Sequence, residues 1–113
     1  MLKKKYRGLS PLQVSELFRS ADGSVSDQFF RVNWKRVPQG FPQFVIITPA
    51  KSHRSAVGRN RLRRQISALL QLHFPCWTAG VRVAILVKTP VAELSVSNLQ
   101  KAFLAIMARL PPF

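Results

Sequence analysis

Two short runs of aliphatic and aromatic residues, Phe44–Ile47 and Val81–Val87, flank a long segment whose apolar residues recur at helical rather than strand spacing. Leu62, Ile66, Leu69, Leu70 and His73 fall within about 100° of one another at the helical rotation per residue, which predicts a helix from Ser55 to His73 stopped by Pro75. A strand, a helix of about five turns and a second apolar strand form a βαβ unit, and its two strands are expected to be parallel neighbours in one sheet. The default hand of such a crossover is right.

The flanking segments extend this unit. Ser10-Pro11-Leu12-Gln13 reads as a helix start, with Ser10 as N-cap, Pro11 at the first helical position and Gln13 completing a capping box. A short helix from Pro11 to Arg19 follows, with Leu12, Val14, Leu17 and Phe18 as its apolar positions. Residues 20–27 are polar, contain Gly23 and read as a loop. Phe30, Val32 and Trp34 then alternate with Arg31, Asn33 and Lys35, the pattern of a half-buried strand with a basic outer face. Pro38, Gly40 and Pro42 mark a turn before the Phe44–Ile47 strand. Ser95 caps a last helix carrying Leu99, Phe103, Ile106 and Leu110, ended by Pro111-Pro112. The expected order is α-β-β-α-β-α: an α+β sandwich with helices mainly on one face, a single domain over residues 1–113 without internal repeat or linker. Residues 1–9, with Lys3, Lys4, Lys5 and Arg7, are expected to be a basic arm that orders on its partner.

Composition narrows the partner. Lys and Arg number 18 against 4 Asp and Glu, a formal charge of +14 on 113 residues. A folded body so charged repels itself unless a polyanion neutralises it, and nucleic acid is the first candidate. A single Cys, Cys76, excludes an internal disulfide and any multi-thiolate metal site, and a buried thiol is its expected state in a reducing, cytoplasmic compartment. Unbroken apolar stretches such as Val83–Val87 fall far short of the roughly 20 residues of a membrane span. The Lys-rich start lacks the apolar run of a secretory signal, since Gly8, Ser10 and Pro11 follow it. The basic arm also lacks the apolar face needed for membrane insertion, so no membrane partner is expected.

The densest charge is Lys51, Arg54, Arg59, Arg61, Arg63 and Arg64, with no acidic residue between Asp27 and Glu93. Asn60, Arg61, Arg63 and Arg64 occupy the helical arc opposite the apolar stripe and can leave the core together. The planar Arg fork binds phosphate oxygens bidentately, and Asn60 can hydrogen-bond a 2′-hydroxyl or base edge. A solvated face usually mixes signs, and this one does not. Catalytic constellations are missing: Glu16, Asp22, Asp27 and Glu93 are scattered, and Asp22 with Asp27 reads as a turn pair before a weak Mg²⁺ site. His73 is expected in the core or at a helix end, and His53 lies in the basic loop.

Arg59-Asn60-Arg61-Leu62-Arg63-Arg64, after Ala56-Val57-Gly58, resembles the RNR signature of the bacterial ribonuclease P protein subunit. The resemblance covers nearly the whole chain: a Lys-rich start, a helix ending in Leu17-Phe18, the Gln28-Phe29 strand entry, Lys88-Thr89-Pro90 after the last strand and the Ser95-capped helix come in the family's order. It implies a subunit that binds a large catalytic RNA and helps it remove the 5′ leader of precursor tRNA. The RNA would supply the active site and its Mg²⁺ ions, with no catalytic residue, tightly bound metal or small-molecule substrate in this chain. The implied fold is a ribosomal protein S5 domain 2-like sandwich in which the RNR helix makes a left-handed βαβ crossover, overruling the default hand.

The resemblance further implies that Lys51, Arg54, Arg59, Asn60, Arg61, Arg63 and Arg64 meet the catalytic RNA. A cleft between the first helix and the sheet would take the leader, with Phe18, Phe29, Trp34, Arg63 and Lys88 as its candidate residues. The chain departs from the family pattern at Val14 and Val32, where aromatics are usual, and at Ser67, usually basic; Trp34 is the candidate replacement for the strand aromatic. Each aromatic platform lost weakens base stacking by roughly 1–3 kcal/mol. A structural ribosomal RNA-binding protein with no role in cleavage is the alternative reading, and a protein-only nuclease is opposed by the missing carboxylates.

Overall fold

A computed structural model of the chain describes residues 11–38, 42–49, 55–73 and 80–111. Along the chain run helix α1 (Pro11–Arg19), strands β1 (Gly23–Ser26), β2 (Phe30–Arg36) and β3 (Gln43–Ile47), helix α2 (Ala56–His73), strand β4 (Val81–Val87), a short 3₁₀ turn (Thr89–Glu93) and helix α3 (Val96–Met107). The strands form one sheet in the order β1-β2-β4-β3, with β3 and β4 parallel and the other pairs antiparallel. The parallel neighbours expected on either side of the long helix are therefore present. The single domain is α+β with a mixed sheet.

One element differs from the sequence reading. Gly23–Ser26, read as loop, is an edge strand whose register sets Gly23 against Trp34 and Val25 against Val32. Four residues of Gly, Ser and Val carry too little alternation to announce a strand; the open edge of β2 recruits them. Asp27 closes the hairpin, its Oδ1 accepting from the N–H groups of Phe29 and Phe30, both at 2.8 Å.

The sheet has two unlike faces because side chains alternate along every strand. Phe30, Val32, Phe44, Val81, Val83, Ile85 and Val87 lie on one face and are buried against Leu62, Ile66 and Leu70 of α2 and Leu99, Phe103, Ile106 and Met107 of α3. Phe30 and Phe103 meet edge-to-face with ring centroids 5.7 Å apart. The other face carries the register partners Arg31 with Leu86, Asn33 with Ala84 and Lys35 with Arg82, and α1 lies over β2 and β4 on this side. Leu17 is the α1 residue fully buried there, while Leu12 is 72% exposed.

Helix ends follow local chemistry. Ser55 Oγ accepts from the N–H of Gly58 at 2.9 Å and Ser95 Oγ from that of Asn98 at 3.2 Å, so both serines act as N-caps. The α2 stripe is Gly58, Leu62, Ile66 and Leu70, and His73, expected near that stripe, is exposed at the helix end. Helix α3 stops at Met107, three residues before Leu110, because Arg109 and Leu110 donate to Ile106 and Met107 in tightened i→i+3 turns. After β4, Val91 of the 3₁₀ turn is buried in the core and fixes how the chain leaves Lys88.

Trp34 packs over Gly23 so closely that a Cβ added there would stand 2.3 Å from the indole Cζ2. Gly23→Ala is therefore expected to push the ring out of place and destabilise the domain by about 1–3 kcal/mol. Urea denaturation followed by far-ultraviolet circular dichroism checks this, and an unchanged midpoint would remove Trp34 from the packing described.

Candidate nucleic-acid interface

The buried i, i+4 stripe of α2 dictates what the opposite arc does. With Leu62 and Ile66 turned into the core, Asn60, Arg61, Arg63 and Arg64 are exposed and Arg59 is half-buried. Arg63 is held at both edges of its guanidinium: Nη1 donates to Thr48 Oγ1 at 3.3 Å and Nη2 to Asn60 Oδ1. Thr48 is itself buried directly after β3, so this contact joins the arginine-rich end of α2 to the sheet. Engagement of its carbonyl oxygen orients Asn60 to offer its NH₂ group as the outward donor.

Among the described residues no carboxylate pairs with Arg61, Arg63 or Arg64. The acids are committed elsewhere. Glu16 on α1 pairs with Lys35 at 3.2 Å and with Arg82 at 4.0 Å. Asp22 Oδ2 accepts from the N–H of Arg36 at 2.7 Å, and Asp27 holds its hairpin. Asp27 thus acts as a turn residue, as expected, whereas Asp22 ties the start of β1 to the end of β2 rather than closing a turn; among the described residues no three His, Cys, Asp or Glu side chains gather as a metal site.

The α1 face of the sheet is polar and basic around a half-buried apolar strip of Val45, Ile47 and Leu86. Arg31 Nε donates to the Oδ1 of buried Asn33 at 3.3 Å, which steadies the guanidinium over this face. Arg82 lies below α1, with its Nε buried and without a hydrogen-bond partner. Phe18 on α1 is 41% exposed. Cations, an apolar floor and an exposed aromatic form a surface suited to unpaired bases on a phosphate backbone.

Lys88 leaves the sheet beside the β1 hairpin, its Nζ donating to Ser26 Oγ at 2.8 Å and to the carbonyl oxygen of Asp27. β3 and β4 are parallel, so Lys88 and Thr48 follow their strands at the same end of the sheet. Lys88 and Arg63 therefore share one end, and Phe18 sits on the helix over the open face. Two of the residues expected in the leader cleft are placed elsewhere. Trp34 belongs with Phe30 and Val32 on the helix-covered face, and Phe29 packs against the same core, so neither lines the α1 face. The cause is strand alternation: Trp34 does face the same way as Val32, and that way is inward. Lys51 and Arg54 lie outside the described residues, as do the basic arm of residues 1–9, Ser10, His53 and Cys76.

The sequence reading did not single out Arg31 and Arg82 as site residues. Period-two alternation held the signal for both, since each is the polar neighbour of a core residue on its strand. Glu16 carried no such signal, because its partners come from two distant strands.

No described helix is long and apolar enough to cross a membrane. The fold matches that of the Staphylococcus aureus RNase P protein with a TM-score of 0.87 at 18% identity, covering 97% of this chain and 99% of that one. A Staphylococcus aureus RNase P protein mutant with defective mRNA degradation activity matches at 0.83 and 18% identity, covering 93% and 87%. The RNase P protein from Thermotoga maritima matches at 0.75 and 15% identity, covering 87% and 91%. No curated protein is detectably similar in sequence. The family model described as Ribonuclease P matches residues 2–111, and the chain belongs to the family of bacterial ribonuclease P protein components.

Proposed function

We propose that this chain binds the catalytic RNA of ribonuclease P through the outward arc of α2 and steers the 5′ leader of precursor tRNA along the α1 face of the sheet. The observation that carries the reading is the unneutralised set Arg61, Arg63 and Arg64, set at the same end of the fold as Lys88. Arg63, tied to Thr48, is the hinge between the two surfaces. The protein's part is charge neutralisation and positioning; Mg²⁺ enters through the RNA, which performs the hydrolysis.

Stacking in this cleft rests on Phe18, with Arg31 and Lys88 as phosphate contacts. Since Trp34 is turned inward, the open face offers fewer aromatic platforms than the family pattern, and leader binding leans on charge and on the apolar floor.

The deciding experiment compares precursor-tRNA cleavage at low Mg²⁺ by a bacterial ribonuclease P RNA alone, by the protein alone and by the mixture. Stimulation at the mature 5′ end only in the mixture is the expected result. Turnover by the protein alone would point to a protein-borne active site, and tight salt-dependent binding to ribosomal RNA without stimulation would point to a ribosomal role. Replacing Arg61 and Arg64 together with Ala is expected to lower the slope of log K against log salt for the catalytic RNA by about two, with the fold intact. An unchanged slope would remove both side chains from the phosphate contacts.

A further inference from the structure

Two cations converge on the β1 hairpin, and the RNR surface does not account for one of them. Arg109, just beyond α3, donates from Nη1 to the carbonyl oxygen of Ser26 at 3.2 Å. Lys88 reaches the side chain of the same residue, with its Nζ on Ser26 Oγ at 2.8 Å. Ser26 thus holds an ammonium and a guanidinium at one corner of the sheet. The nearby carboxylate, that of Asp27, is turned into the hairpin and occupied by the N–H groups of Phe29 and Phe30. Among the described residues no carboxylate pairs with either cation.

A helix C-terminus favours any cation, but that alone would leave the side chain in solvent rather than on the carbonyl of a strand 83 residues away in sequence. A clamp on one carbonyl needs one donor. Arg109 has five N–H donors and spends one on Ser26; Lys88 has three and spends two. The hydrogen bonds to Ser26 fix both groups before any ligand arrives, so little side-chain freedom is lost when an anion bridges them.

The position of this corner matters. The strand order β1-β2-β4-β3 puts Ser26 at one side of the sheet end and Thr48, with Arg63, at the other, three strand spacings or roughly 14 Å apart. Lys88, at the end of β4, stands between them. We propose that Arg109, fixed by Ser26 beside Lys88, is an RNA phosphate contact that carries the arginine face of α2 across the whole end of the sheet to the β1 hairpin. The inference rests on the function proposed above and extends it to a residue outside the RNR helix and the leader cleft. The ligand chemistry is a phosphodiester, which the catalytic RNA or the precursor leader can supply.

Arg109→Gln tests it, because Gln keeps an N–H donor for the Ser26 carbonyl and removes only the charge. Affinities are measured from 50 to 200 mM salt in two arms: the full-length protein with the catalytic RNA, and the holoenzyme with precursor tRNA bearing or lacking its leader. A fall in slope of about one is expected in one arm, which makes the affinity ratio of wild type to variant change about 4-fold over that range. A fall in the first arm identifies the catalytic RNA as the source; a fall in the second, only with the leader present, identifies the leader. Wild-type slopes for Arg109→Gln in both arms, while the Arg61 and Arg64 double variant loses about two, would overturn the inference and leave the proposed function standing. Failure of the wild-type protein to bind either RNA in a salt-dependent way would instead overturn the proposed function, and this inference with it.

Discussion

Everything in this fold depends on the alternation along β4. Its residues Val81, Val83, Ile85 and Val87 are buried under α2 and α3, while Arg82, Ala84 and Leu86 are turned to the opposite face. β4 is paired on both edges, antiparallel to β2 and parallel to β3, so its alternation sets that of its neighbours. A slip of one residue would bury Arg82 among aliphatic side chains and expose the valines, which is why register is tightly specified where one face is packed. The core on one side leaves the other side available for cations.

That separation also explains how a chain with a formal charge of +14 folds at all. Among the described residues, Arg61 and Arg64 lie on the outer arc of α2, Arg31, Lys35 and Arg82 on the α1 face, and Lys88 and Arg109 at the sheet end, away from the aliphatic layer. The few acids do structural work at specific places. Glu16 settles α1 over the two basic side chains Lys35 and Arg82, and Asp22 and Asp27 hold backbone at the two ends of β1. Among the described residues none pairs with Arg61, Arg63 or Arg64, and the resulting field is one a polyanion would enter rather than one the protein cancels internally.

The parts of the fold governed by local periodicity were legible in the sequence. The βαβ unit, the Ser95 cap of α3 and the exposed arc of Asn60, Arg61, Arg63 and Arg64 all follow from spacing within one element. What was not legible depends on partners distant in sequence. β1 exists because β2 has an open edge, and nothing in Gly23-Ser-Val-Ser26 announces it. The direction of Trp34 was readable only relative to Val32; which face the helices cover decided whether both point to the core or to the cleft. Arg63 reaching Thr48, and Arg109 reaching Ser26, join residues whose proximity is a product of topology.

The placement of β3 at the rim of the sheet has a consequence for how the protein behaves in a crowded solution. Its Phe44-Val-Ile-Ile47 run stands at the edge of the described sheet and is apolar and β-branched, a combination that templates aggregation. Pro42 stands before the strand and Pro49 shortly after it, and neither can donate to a further ladder, so the strand is held to five residues and cannot lengthen. Two copies approaching edge to edge would also bring their arginine-rich α2 ends together, since Arg63 is tied to the residue that follows the strand. The like charge of those α2 ends thus acts as a guard against self-association.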